Sequence, residues 1–273
     1  MLDFIGVQAL AANPFNLPIW LTGLGCLLFA PFLARFRLLG VQSLAVLAFL
    51  AWSAPRILHY PAPVYAVLFA AGAVALERWA GRRVLRLAAR PALVVLLLFA
   101  GAVGMPLAIP ILPEEEVEPY VVELGIEPPE VYGREHHAFP QQFSTMLAWP
   151  DVVEATARAW SGLPASERDA VAILGVSYSD AGAVDLFGPR YGLPSAISGH
   201  NAYADWGARN YDLEAAIVVG AGPEIVGTWW HSAVVLETVP CARCESWRQE
   251  IPVVLARDPR FPMPELWEQL RHY

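Results

Sequence analysis

Residues Pro91–Tyr120 read PALVVLLLFAGAVGMPLAIPILPEEEVEPY, and the change of character inside this stretch decides the fold. The 22 residues up to Leu112 carry no charge, and three glutamates follow Pro113 directly. Three more apolar runs lie upstream, so that the four are Pro14–Leu33, Leu38–Trp52, Pro63–Trp79 and Pro91–Ile111. A helix crossing a bilayer core needs about 20 apolar residues, because backbone groups left unpaired in hydrocarbon are too costly. The second and third runs are short. That is met by little tilt, by borrowed flanking residues, or by a tight hairpin around Ser53–Pro63. The competing reading, a buried helical bundle in water, would require polar outer faces. These runs have almost none.

Composition divides at the same place. The chain is 56% hydrophobic and 16% charged, against about 25% charged in an ordinary soluble domain. Up to residue 112, eight arginines face two acids, leaving +6; beyond it, ten arginines face twenty-four acids, leaving −14. So acidic a C-terminal region argues against nucleic-acid binding, which requires a basic face. The chain has no lysine, which fits genomic base composition better than phosphate recognition. The expected organisation is a transmembrane region over residues 1–112 and an α/β domain over 113–273.

Arginines set the expected orientation. Arg35 and Arg37 lie between the first two runs, and Arg78, Arg82, Arg83, Arg86 and Arg90 between the last two. The positive-inside rule places both clusters in the cytoplasm. The C-terminal domain of this multi-pass inner-membrane chain then lies outside the cytoplasm. Trp20, Trp52, Tyr60 and Trp79 fall near span ends, as interfacial aromatics do. Met1–Asn13 has no basic n-region and no small-residue cleavage site. An outward N-terminus without a targeting device implies preceding spans, supplied by a longer polytopic protein or by a partner subunit.

From Asp151 the pattern alternates. It predicts a helix Val152–Trp160 capped by Asp151, a strand Val171–Val176, a helix Ala181–Phe187 and a short strand Ser195–Ser198. A strand Ala215–Val219, a helix Pro223–His231 and strands Ala233–Val239 and Ile251–Leu255 follow, before a tail helix Pro264–Leu270. Continuous apolar strands alternating with helices predict a mostly parallel sheet covered on both faces. Ligands of such sheets bind beyond the carboxyl ends of strands. The loops expected there are Ser177–Asp180, Ser198–Asn201 and Gly220–Gly222, giving Tyr178, Asp180, His200 and Asn201 as candidates for a polar ligand such as a sugar. The plainer reading is that these loops only connect and cap. Gly220 and Gly222 are placed to bare backbone N–H groups to an anion, though a lone G-x-G is a weak signal.

Three further groups carry more than one reading. Cys241-Ala-Arg-Cys244 reads as a structural disulfide on an oxidising side, as half of a zinc site, or as a redox pair. Glu135-His136-His137 reads as a metal site or as solvated polarity, and the second is favoured because adjacent histidines point apart. Asp180 and Asp185 read equally as caps and as an acid/base pair. Cys26 reads as packing. No metal or cofactor is expected.

Several stretches have a family likeness. They are Asn13–Pro18 (NPFNLP), Tyr60–Tyr65 (YPAPVY) with Leu68–Val74 (LFAAGAV), Pro140–Phe143 (PQQF) and Leu163–Arg168 (LPASER). Ala181–Asp185 (AGAVD), Gly192–Asn201 (GLPSAISGHN) and the tail from Glu265-Leu266-Trp267 to His272-Tyr273 complete the set. Together they resemble bacterial members of the dolichyl-phosphate-mannose protein mannosyltransferase family, glycosyltransferase family 39, with its aminoarabinose-transferase-like relatives. Ser177, Ser179 and Ser144-Thr145 depart from the family pattern.

The resemblance implies a polytopic glycosyltransferase moving a sugar from a polyprenyl-phosphate donor to an acceptor outside the cytoplasm. It also implies that the catalytic acid lies on N-terminal spans this chain lacks, so no residue here inherits that role. The outward hairpin Arg56-Ile57-Leu58-His59-Tyr60 lies at the membrane surface, where family members often carry Lys-Tyr-Tyr-type residues. Arg56 is therefore expected to contact the donor phosphate, with His59 and Tyr60 assisting; the alternative is an interfacial anchor. The other functional readings are a non-catalytic membrane-anchored acceptor-binding or assembly module, and a thiol-redox protein using Cys241 and Cys244.

Overall fold

A computed structural model describes residues 2–53, 60–79, 83–126 and 141–273. The chain divides into two compact units, Met1–Ala138 and Phe139–Tyr273.

The first unit is helical: α1 (Leu2–Ala11), α2 (Leu17–Phe29), α3 (Arg37–Ser53), α4 (Ala62–Trp79), α5 (Arg83–Ala108) and the acidic α6 (Glu114–Glu123). Among the described residues three stretches are long and apolar enough to cross a membrane: Pro31–Ser53, Ala62–Trp79 and Arg90–Ala108, with mean hydropathies of 1.6, 1.2 and 2.2. The expected first span, Pro14–Leu33, is not one helix. Ala30 is extended at φ −76°, ψ 130°, and Pro31 opens a 3₁₀ turn that leads into α3. The cause is local, since proline disfavours helical geometry in the residue before it and lacks an N–H to continue the ladder.

Helices α2 and α4 pack closest. Gly23 meets the backbone at Leu68 and Gly72 meets it at Ile19, so that a Cβ at either glycine would overlap a carbonyl oxygen. Leu68 and Ala75 are fully buried in that seam. Trp20 and Tyr65 meet edge to face at 5.5 Å, and the Tyr65 hydroxyl donates to Gln8 Oε1 at 2.9 Å. Asn13 ties the first turn to α5 by donating from Nδ2 to Ala100 O at 2.8 Å. Tyr120 does the same for α6, donating to Val103 O at 2.7 Å.

The second unit is built from α7 (Gln141–Ser144), α8 (Trp149–Ser161), α9 (Ala165–Arg168), β1 (Ala172–Gly175), α10 (Tyr178–Phe187) and α11 (Ala202–Asp205). Then come β2 (Ala215–Val219), α12 (Pro223–Val226), β3 (Trp230–Pro240), β4 (Glu250–Pro259) and α13 (Met263–Leu270). The sheet order is β1-β2-β4-β3. Alternate residues feed two cores. Ile173, Ile217, Val219 and Val253 pack with residues of α8 and α10, while Leu174, Ala216, Val218 and Val254 pack with Leu266 and Trp267 of α13. Cover on both faces is why these strands read as unbroken apolar runs.

The sheet is mixed, not mostly parallel. Among the described residues only the β1–β2 strand pair runs parallel, whereas β2–β4 and β3–β4 are antiparallel. The predicted helix Pro223–His231 stops at Val226, and the chain enters β3 at Trp230. β3 then returns directly as β4 through residues 241–249, and a connection without a crossover helix makes neighbouring strands antiparallel. Ser195–Ser198 forms no strand but one parallel bridge, Leu174 to Ile197. Asp151 lies in the first turn of α8 instead of capping it, because Pro150 starts the helix early.

Gly72→Leu forces α2 and α4 apart and is expected to cost about 2–3 kcal/mol or more. Thermal unfolding of the detergent-solubilised chain would show this as a clear drop in midpoint. Gly101→Ala, with nothing within 4 Å of the added Cβ, leaves the midpoint unchanged.

Candidate functional site

The carboxyl ends of β1 and β2 bring the predicted loops together. Ser177 is the N-cap of α10 in an extended conformation (φ −104°, ψ 156°). Its Oγ accepts the Asp180 N–H at 3.1 Å and donates to Asp180 Oδ2 at 2.7 Å. Space here demands glycine twice. A Cβ at Gly175 would overlap the Ala181 backbone, and one at Gly220 would lie 2.7 Å from Asp180 Oδ2. Gly220 also turns through φ +96°, which few side chains tolerate. Its N–H donates to Pro252 O at 3.0 Å, so that amide is not offered to an anion, contrary to the sequence expectation.

Asp180 is buried at 1% exposure, and a buried carboxylate needs a partner. Arg248 supplies it from the β3–β4 loop: Nη1 donates to Oδ2 at 3.2 Å and Nη2 donates to Oδ1. The loop is fixed in turn. Cys241 and Cys244 are joined by a disulfide, the Cys241 N–H donates to Gln249 O at 2.7 Å, and buried Glu245 accepts from Ser144 Oγ at 3.2 Å. Asp185 serves elsewhere. Its Oδ1 accepts the Ala196 N–H at 2.8 Å and its Oδ2 accepts the Tyr203 hydroxyl at 3.0 Å. Burial first, and then that carboxylate, push Tyr203 up to about 12, so it remains a hydroxyl donor at neutral pH.

The same loops carry a cluster of aromatic rings. Tyr178 is half exposed and meets His200 at 4.8 Å, and His200 stacks on His272 at 4.4 Å with 22° between planes. Burial is the main cause holding His200 below its usual pKa, the neighbouring His272 adds to it, and Asp180 opposes it. Asn201 takes part through its backbone: at φ 52° its N–H donates to His272 O at 3.0 Å. The structure therefore places Tyr178, Asp180, His200 and Asn201 in one region.

The other expected residues fall elsewhere. Arg56 and His59 lie outside the described residues, as does Glu135-His136-His137, and Tyr60 stands exposed in the turn before α4. An open depression of about 540 Å³ on the β3–β4 loop is lined by Cys241 and Trp247, among others, and by none of the four candidates.

The chain matches no protein-family model, no curated protein and no solved structure. Its site must be argued from its own residues.

Sequence reasoning missed Arg248 and His272. Each lies far along the chain from its partner, 68 residues for Arg248 and Asp180 and 72 for His272 and His200.

Two tests follow. Removing the guanidinium with Arg248→Met leaves Asp180 buried and unpaired, expected to cost about 3–5 kcal/mol. That should lower the melting midpoint by about 10 °C for a unit of this size, and Asp180→Asn in the same chain recovers most of the loss. Acidification tests His200. A histidine held neutral by the fold gives stability that is complete above its unfolded value of 6.5 and is lost as pH falls through it towards the lower folded value. Denaturant midpoints should decline over that window in the wild type, and decline less in His200→Phe.

Proposed function

We propose that this chain is the C-terminal part of an integral-membrane glycosyltransferase that transfers a sugar from a polyprenyl-phosphate donor to an acceptor outside the cytoplasm. The apolar helices of residues 1–112 lie in the inner membrane, with the arginine-rich loops in the cytoplasm and the acidic residues 113–273 on the outer side. In this reading the resemblance assigns the catalytic acid to spans N-terminal to this chain, which supplies donor and acceptor contacts only. Arg56, with His59 and Tyr60, meets the donor phosphate, because a guanidinium offers a phosphate two parallel charge-assisted hydrogen bonds. Tyr178, His200 and Asn201 meet the acceptor above the Asp180–Arg248 pair.

One observation carries the reading. The GLPSAISGHN segment, one of the stretches that carry the family likeness, packs its His200 against Tyr178 at the carboxyl end of β1, in a chain whose first unit bears, among the described residues, three helices of membrane-spanning length. A second reading, a membrane-anchored acceptor-binding or assembly module without catalysis, is supported by the carboxylates. Both Asp180 and Asp185 are held by internal partners, which removes an obvious acid/base pair.

The test uses membranes from cells with and without the coding segment, supplied with radiolabelled polyprenyl-phosphate sugars. Loss of transfer to acceptor with accumulation of the lipid-linked sugar is expected on deletion. In the intact protein, Arg56→Ala should weaken donor binding about tenfold, the equivalent of about 1.4 kcal/mol. Unchanged transfer after deletion contradicts the glycosyltransferase reading and favours the module.

A further inference from the structure

One end of the first unit gathers cations that no acid neutralises. The 3₁₀ turn Pro31–Phe36 and the last turn of α4 meet there, because the Arg78 guanidinium lies over the Phe32 ring at 4.8 Å. Arg35 follows Phe32 by three residues, and side chains at that spacing eclipse in a 3₁₀ turn, about 6 Å apart along its axis. Arg35 in turn lies over the Phe36 ring at 4.6 Å. Both arginines are exposed, and among the described residues neither makes an ion pair. Between Asp3 and Glu114 the sequence holds one acid, Glu77, and Arg90 takes it. Genomic base composition accounts for these cations being arginines. It does not account for two of them standing stacked and unneutralised in one place.

Stacking occupies the face of a guanidinium and leaves its in-plane N–H groups, a planar fork matched to two phosphate oxygens. It also holds the side chain in place, so less freedom is lost when an anion arrives. The residues around the turn are apolar. Phe29 and Leu38, on either side of it in the chain, are 78% and 77% exposed, and Trp79 beside Arg78 is 60% exposed. A ligand suited to this end carries phosphate and hydrocarbon together. We propose that Arg35 and Arg78 bind the phosphate of an anionic phospholipid, whose acyl chains cover neighbouring apolar surface. The positive-inside orientation puts this end at the cytoplasmic leaflet, where anionic headgroups attract juxtamembrane arginines. The inference needs residues 1–112 to lie in a bilayer and is independent of sugar transfer. Its phosphate is not the donor's, which the proposed function assigns to the outward Arg56 hairpin.

Native mass spectrometry of the full chain in detergent tests this, with phosphatidylglycerol, phosphatidylethanolamine of the same acyl chains, and inorganic phosphate as probes. Phosphatidylglycerol should bind about 20-fold more tightly than phosphatidylethanolamine, and Arg35→Gln and Arg78→Gln should each weaken it about fivefold. Changing both arginines to lysine keeps the charge but loses the fork, and should weaken phosphatidylglycerol about threefold. Glu77→Gln combined with Arg90→Gln leaves the net charge unaltered and should bind like the wild type. Inorganic phosphate at the lipid's concentration should not compete. Equal affinity for the two lipids, or a full preference retained when both arginines are glutamine, would overturn the site. Wild-type affinity in the double lysine variant would overturn the bidentate contact. Displacement of the lipid by an equal concentration of phosphate would overturn its assignment to a lipid, in favour of a free anion.

Discussion

Apolar surface on α3 and α5 must be covered by something, and among the described residues it is not covered by protein. Phe49, Trp52, Val94, Val95, Leu98 and Phe99 are each more than half exposed. Leaving such side chains in water costs about 25 cal/mol for each Å² of apolar surface. Only 11% of the Arg90–Ala108 window is buried, so this cost cannot be met by minor repacking. Within the first unit the chain does solve one contact itself: Gly23 and Gly72 bring the α2 and α4 backbones together, as small residues do where dispersion has to substitute for the hydrophobic effect. The remainder of that surface calls for lipid or for further helices.

The second unit obeys water's rules, and its own governing constraint is a single buried carboxylate. Asp180 at the start of α10 must be neutralised, and Arg248 reaches it only because the β3–β4 loop is shaped by the disulfide, by the Cys241–Gln249 backbone bond and by Ser144 on Glu245. That need for an antiparallel return links the sheet's mixed topology to the site. The rings of Tyr178, His200 and His272 stack beside one another in the same region, and His200 senses the Asp180 charge.

What could be read beforehand was whatever periodicity and turn chemistry encode. The apolar runs, β1, β2, β4, α10 and α13 follow from local pattern, and so do the loops that carry Tyr178, Asp180 and His200. Non-local pairing left no such trace. Ser195–Ser198 has strand composition but makes one bridge. Trp230 could close a helix or open a strand, and its burial with Nε1 donating to Leu213 O at 3.0 Å decided for the strand. Pro31 was a legible break that the hydropathy of its neighbours obscured. Arg248 and His272 reach the site through tertiary contacts, which no spacing in the sequence marks.

The central claim is a partition, with apolar helices in the bilayer and the acidic unit beyond its outer face. It is tested most directly by fusing alkaline phosphatase, which folds to activity only outside the cytoplasm, after Tyr273. The account predicts high phosphatase activity in intact cells; an inactive fusion present at normal abundance would contradict it.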